Sequence, residues 1–226
     1  TKQVKEMNAV AEKSKPLFTM MFNQRTNCVY RKMRELVING EVGNIKRINW
    51  IITSWYRSQS YYDSGDWRAS WRGEGGGVLT NQCPHQLDLF QWFFGLPSKI
   101  RATAKLGKYH DIEVEDEVNA YMEYANGMTA NFIASTGECP GVNRLEITGD
   151  NGRLIYEKGE IQFVRSEIPT SVFCKTSEKS FALSDSWDCK INIWRADNTT
   201  PQHQKVIENV TNAILNGTPL IAPMEE

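Results

Sequence analysis

The sequence predicts an α+β fold: a large, mostly antiparallel sheet with helices on one face, preceded by one helix and one strand of a parallel α/β unit. Three observations carry this. Between residues 98 and 165, β-rich stretches follow one another in quick succession, separated by the turn pairs Asn126-Gly127, Asn151-Gly152 and Lys158-Gly159. Residues 27–39 and 201–216 each carry a single apolar stripe at helical spacing. The chain opens with a helix-like stretch that runs into a short apolar segment, the order expected of an α/β unit.

Taken in order, Val4, Met7, Val10 and Ala11 give residues 2–13 the pattern of an amphipathic helix, ended at Lys15-Pro16. Leu17 to Phe22 is a short apolar run bounded by turn signals, as in a strand buried on both faces. Val29, Met33, Leu36 and Val37 define the helix over 27–39, stopped at Asn39-Gly40. "IKRINWIITSWYRS", residues 45–58, is rich in β-branched and aromatic residues and predicts one long strand. Strands follow at 98–108, 116–124, 128–136, 142–149, 152–157 and 160–165. In the hairpin around Asn126-Gly127, Val118, Ala120, Met122 and Tyr124 share one face, with Tyr121 and Ile133 on the other. Residues 166–198 are ambiguous, with Trp187–Trp194 a candidate last strand. Thr200-Pro201 has the form of a helix start, Val206, Val210, Ala213 and Ile214 make that helix's stripe, and Gly217 ends it.

Composition excludes several classes. The formal net charge of -1 leaves no electrostatic footprint for nucleic acid or an anionic membrane surface. No apolar run approaches the roughly 20 residues of a membrane span. The five cysteines, Cys28, Cys83, Cys139, Cys174 and Cys189, are odd in number and contain no C-x-x-C pair. They read as reduced thiols of a cytoplasmic protein. The first residue is Thr1, and both ends read as cut from a longer chain.

The chemistry-bearing stretch is "EGGGVLTNQCPHQLDLFQWFFG", Glu74 to Gly95. Its glycines match neither G-x-G-x-x-G nor a P-loop, so they predict a tight turn and a close backbone approach in place of a phosphate cradle. Cys83 and His85 are two apart, His110 and His203 are isolated, and nothing has zinc-site spacing. On a single helical wheel, Asn81, His85, Asp88 and Trp92 form one stripe, with Leu79, Cys83, Leu87, Phe90 and Phe94 opposite. Asp88, one turn on from His85, is placed to hold the ring tautomer that a general acid/base needs. A structural histidine is the competing reading. Pro84 places a kink or the first helical turn near 82–84, in which case Asn81 is a cap. Upstream, "YYDSGDWRASWRGEGGG" interleaves aromatics and arginines, a pattern suited to single-stranded nucleic acid or to a polyhydroxylated small molecule. The neutral chain favours the small molecule, and a loop packed down by its own tryptophans is the plain alternative.

Together, "FNQR" (22–25), "NGEVGNIKRI" (39–48), "WRGEGGGVLTNQCPHQLDLFQWFFGLP" (71–97), "VEDEVNAYMEYANG" (114–127) and "EITGDNGRL" (146–154) resemble the Gfo/Idh/MocA family of nicotinamide-dependent sugar and polyol oxidoreductases. The resemblance implies that residues 1–24 are the end of an N-terminal Rossmann domain. It implies that residues 25–226 are the C-terminal α/β domain for substrate binding and oligomerisation. The dinucleotide glycine fingerprint and the family's Glu-Lys-Pro segment are expected upstream of Thr1, so NAD or NADP would be bound mainly outside this chain. The family's Asp-x-x-x-His motif falls on Asn81 and His85, with an amide in place of the carboxylate. The resemblance therefore implies catalysis by His85 with Asn81, a substrate wall of Trp67, Arg68, Arg72, Tyr56 and Asp88, and cofactor contacts from Asn23 and Arg25. It implies no metal, hydride transfer at a secondary alcohol of a sugar, sugar derivative or cyclitol, and a homo-oligomer through the sheet face. A non-catalytic binding and assembly domain, or a lyase- or glycosidase-like member using NAD transiently, are the alternatives.

Overall fold

The structure, a computed structural model, describes residues 2–14, 16–193 and 200–224. The chain divides into two compact units, one of residues 1–32 with 193–226 and one of Met33–Asn192.

The larger unit is built on an eight-stranded sheet. Its strands are β1 (Ile45–Ile52), β2 (Lys99–Leu106), β3 (Glu115–Glu123), β4 (Thr129–Ser135), β5 (Asn143–Gly149), β6 (Gly152–Glu157), β7 (Glu160–Ser166) and β8 (Ser186–Ile191). The spatial order is β2-β3-β4-β1-β5-β6-β7-β8. Every neighbouring pair is antiparallel except β1 and β4, which run parallel with Trp50 opposite Phe132. The predicted hairpin is β3–β4, and Gly127 takes the left-handed φ of 85° that its turn requires. The strands predicted at 142–149, 152–157 and 160–165 are β5, β6 and β7, an antiparallel meander that β8 extends.

Alternation along β1 and β3 sets the core face. Ile48, Trp50 and Ile52 are buried with Val118, Ala120 and Met122, and Tyr121 on the other face is exposed. The core face is covered by α4 (Pro84–Phe94), whose Phe90 stacks on Trp50 at 6.2 Å and meets Phe132 edge-on at 6.0 Å. The Trp50 indole N–H donates to Asn143 Oδ1 at 2.9 Å, so its polar atom is satisfied inside the core. The helix predicted over 27–39 is α2 (Cys28–Ile38). Its Arg34 lies 4.4 Å over the Trp92 ring of α4 and donates to the Trp92 carbonyl.

Sequence reading and structure part in four places. The long strand expected over 45–58 ends at Ile52, because Thr53 turns aside to exchange hydrogen bonds with Val142. A short helix, α3 (Gln59–Tyr62), follows. The ambiguous stretch contains α5 (Thr170–Thr176) as well as β8, and Trp194 lies outside the described residues. Leu17 to Phe22 is not a doubly buried strand. Leu17, Phe18, Met20 and Met21 are exposed, and the only ladder contact among the described residues is the Thr19–Pro223 bridge. A strand needs a paired neighbour to bury its backbone groups, and the described residues supply only that short tail.

The smaller unit holds α1 (Lys2–Ala11), a 3₁₀ turn (Asn23–Thr26) and α6 (Gln202–Asn216), with the start of α2. The stripe Val4, Met7 and Val10 on α1 is exposed. Arg25 is buried and donates to the Ile221 carbonyl at 3.0 Å, and Ile221 N–H donates to Asn209 of α6. No helix among the described residues is long and apolar enough to cross a membrane.

Candidate active site

β1 and β4 run parallel, so their C-terminal ends emerge at the same edge of the sheet, beside the N-terminal end of β3. The chain leaving β1 is fixed there by hydrogen bonds from Arg57 N–H to Thr136 O (2.9 Å) and from the Tyr62 hydroxyl to Thr136 Oγ1 (2.9 Å). Tyr62, Ala69 and Val114 form a small core of their own, against which Tyr61 and Ile112 pack. Burial pushes the Tyr62 phenol up from its ordinary value. The loop therefore has an apolar anchor separate from the tryptophans it carries. Trp67 and Trp71 are half exposed, which removes the reading in which they pack the loop down.

The glycines do what the sequence suggested for Gly77: a Cβ there would run into the Glu115 backbone, so only glycine lets the chain lie against the start of β3. The next residues, Val78–Gln82, form a π-helical turn, and Leu79 N–H donates to the Glu115 carboxylate at 3.2 Å. Cys83 breaks the pattern, and α4 starts afresh with Pro84 in its first turn. This corrects the single helical wheel. A π turn holds more residues than an α turn, and the break at Cys83 resets the phase. The face that α4 buries is Gln86, Asp88, Leu89, Phe90 and Phe93, with Leu87 and Phe94 only half buried. Within α4 His85 and Asp88 remain one turn apart on one side of the helix, and Asp88 is buried there. His85 stays half buried, one residue past Pro84.

Cys83 is packing. It is fully buried, and burial first, then the negative Glu115, pushes its thiol up to about 12. Among the described residues no group of three or more His, Cys, Asp or Glu is arranged to hold a metal ion.

Asn81 is a hub. Its Nδ2 donates to the Glu74 carboxylate. Its Oδ1 accepts from Gln82 Nε2 at 2.9 Å and from the Tyr61 hydroxyl at 3.4 Å. Glu74 accepts in turn from Ala69 N–H, and Arg68 Nη1 donates to the Tyr61 hydroxyl at 2.8 Å. The structure therefore joins Asn81 and Arg68 through Tyr61, and adds Glu74, which sequence reasoning passed over. Its place directly before three glycines and seven residues ahead of Asn81 was the available signal. Trp67 stacks under Arg68 at 4.4 Å. Arg72 and Tyr56 lie exposed on the same segment. Asn23 and Arg25 belong to the other unit. There Asn23 Nδ2 donates to Gln202, while its buried Oδ1 accepts no hydrogen bond among the described residues.

The comparisons with known proteins agree with this architecture. A family model described as the GFO/IDH/MocA C-terminal domain matches residues 30–155, more than half of the chain. The chain belongs to the Gfo/Idh/MocA family. A Bacillus subtilis (strain 168) protein named "Putative oxidoreductase YteT" is 31% identical over 112 residues, 47% of this chain and 25% of that protein. Two solved structures are similar across 99% of this chain. One is a WlbA dehydrogenase from Chromobactrium violaceum in complex with NADH and UDP-GlcNAcA, with a TM-score of 0.78 at 20% identity and 60% of that chain covered. The other is a levoglucosan dehydrogenase in complex with NADH and levoglucosan, with a TM-score of 0.75 at 16% identity and 64% covered. At these identities the likeness is one of fold. The chain spans less than two thirds of the length of these relatives.

Proposed function

We propose that this chain is the substrate-binding part of a nicotinamide-dependent oxidoreductase acting on a sugar, sugar derivative or cyclitol. Residues 1–24 would be the end of the dinucleotide-binding domain and residues 25–226 the substrate and oligomerisation domain. The observation that carries the reading is a tightly held amide, Asn81, tied through Tyr61 to Arg68 and set four residues ahead of a half-buried histidine at the head of α4. The oxidoreductase family and the dehydrogenases of the same fold support it.

In this reading His85 removes or returns the proton of the reacting hydroxyl, a role worth about 10²–10⁴-fold in rate. Asn81, an amide that takes up no proton near neutral pH, orients that hydroxyl from a position fixed by Glu74, Tyr61 and Gln82. Asp88, buried one turn along α4, steadies the helix face that bears His85. Trp67, Arg68, Arg72 and Tyr56 form the substrate wall. When bound, the nicotinamide takes or supplies the hydride. On this chain the orphaned Asn23 Oδ1 fits a cofactor contact, whereas the buried Arg25 is already engaged with Ile221.

A screen of sugars and polyols on the full-length protein, read by nicotinamide absorbance, tests the activity. The expected result is turnover of at least one secondary alcohol, and no substrate-dependent change across the panel sinks the dehydrogenase reading. Self-association through the exposed sheet face that bears Tyr121 belongs to the same proposal. Sedimentation that finds only monomer at micromolar concentration would count against it.

A further inference from the structure

Five side chains after β1 form a continuous stack: Trp55, Arg57, Tyr61, Arg68 and Trp67. The Arg57 guanidinium lies 5.6 Å from the Trp55 ring centre and 4.8 Å from that of Tyr61. The Arg68 guanidinium lies 4.5 Å from the Tyr61 centre and 4.4 Å from that of Trp67. Two cations thus share one tyrosine ring, and both outer tryptophans are exposed, Trp55 at 38% and Trp67 at 52%.

Neither arginine has a carboxylate within ion-pair distance among the described residues. Arg68 uses Nε for Ser64 Oγ (3.1 Å) and Nη1 for the Tyr61 hydroxyl. Arg57 uses Nη1 for the Tyr56 carbonyl (2.9 Å), and its buried Nε has no acceptor among the described residues. Acids are nearby, but they are committed to uncharged donors. Glu113 takes Trp71 N–H, Glu74 takes Ala69 N–H and Asn81, and Asp63 takes Gln59. Unpaired surface arginines are common and mean little by themselves. These two differ because four ring contacts fix them and an orphaned N–H accompanies them. A guanidinium lying on an aromatic face keeps its in-plane N–H groups free for a planar or tetrahedral anion.

We propose that this stack recognises an anion: the substrate carries a carboxylate or phosphate group that Arg68 and Arg57 bind. The proposal rests on the sugar-site reading above and narrows it. The position fits, because one tyrosine hydroxyl separates Arg68 Nη1 from Asn81 Oδ1, with steps of 2.8 Å and 3.4 Å. An anion on Arg68 would lie beside the residues that handle the reacting hydroxyl. Arginine's fork suits such groups through paired charge-assisted hydrogen bonds.

The test uses the full-length protein and two probes. Calorimetry with matched hexose, hexuronate and hexose 6-phosphate sets in the gluco, galacto and manno configurations should show one anionic member binding about tenfold or more tighter than its neutral parent. Whether the uronate or the phosphate gains identifies the source of the charge. Arg68→Gln should erase that preference, and Arg68→Lys, which keeps the charge without the fork, should retain part of it. In parallel, acetate and inorganic phosphate are titrated while the arginine Nε–H resonances are followed by NMR. Sugars that bind with no anionic preference overturn the proposal and leave the sugar site standing. Small anions that shift the Arg68 resonance in the absence of sugar binding uphold the anion site and sink the sugar reading. No response to either probe sinks both.

Discussion

The two histidines of the larger unit sit at the same end of the sheet and differ in burial. His110 is buried, with Nδ1 3.1 Å from Asp116 Oδ2 and Nε2 2.8 Å from the Arg57 carbonyl. A carbonyl oxygen can only accept, so Nε2 donates, and neither nitrogen is available for a substrate proton. Asp116, fully buried, also accepts from the N–H groups of Lys108, Tyr109 and His110, and so ties the loop before β3 into one knot. His85 lies half buried at the head of a helix, after a π turn that glycine alone allows to lie against β3. The His110 imidazole has both nitrogens engaged, by Asp116 and the Arg57 carbonyl, whereas His85 stands half buried at the head of α4.

That contrast can be broken experimentally, starting with the largest effect. In the full-length protein, the proposed role of His85 requires that His85→Asn lower turnover by about two to four orders of magnitude with nicotinamide affinity nearly unchanged, measured by steady-state kinetics. The pH–rate profile should lose the limb that the imidazole sets. Turnover within about threefold of wild type would make His85 a packing residue. Asn81→Asp, which restores the family's usual residue, is a less simple companion than the sequence suggests. It would set a carboxylate against Glu74, and two acids in contact favour a shared proton. The double change Asn81→Asp with Glu74→Gln is the cleaner variant.

His110→Gln should act on stability and not on the chemical step. Loss of the ring removes the donor to the Arg57 carbonyl and the contact with the buried Asp116, at a cost of about 2–3 kcal/mol in urea denaturation. A drop in turnover with unchanged stability would reverse the assignment of the two histidines.

The smallest effect lies far from both. Asp150 is held by Lys46 Nζ at 2.7 Å and by Ser171 Oγ and N–H at the first turn of α5, and these partners keep its carboxyl below the ordinary range. A lowered carboxyl adds stability that is present above the unfolded-state value and is lost as pH falls through the folded one. Asp150→Asn should therefore cost about 1 kcal/mol at neutral pH. Urea melts repeated at acid pH should show the difference from wild type closing.

How much of this was legible in the sequence depended on how local the cause was. The Asn126-Gly127 hairpin and the meander were readable because turn chemistry and two-residue alternation are written in neighbouring residues. The phase of the 78–94 segment was not, since the π turn is held by Glu115, a residue of another strand. His110 read as isolated although its partner is only six residues on, because the knot around Asp116 follows no repeating spacing. Trp55 and Arg57 were hidden inside an apparent long strand whose true end is set by Val142. Glu74 had a visible position but no pattern to mark it. The roles given to His85 and Asn81 came from the family's motif, and the structure supplies their surroundings.

The parallel seam has a consequence for how the molecule is assembled. Strands β5 to β8 each pair with the next strand in the chain, so they can zip up locally. β1 and β4 meet across a long detour, with Asn49 and Asn131 bonded to each other 82 positions apart. Closing such a loop costs chain entropy before any contact repays it, which makes the seam a late event in folding. Everything between its strands, including α3, the π turn and α4, lies within that detour. The segment that carries His85 is on this account a span the sheet has to complete, so that the route to the native state runs through the site.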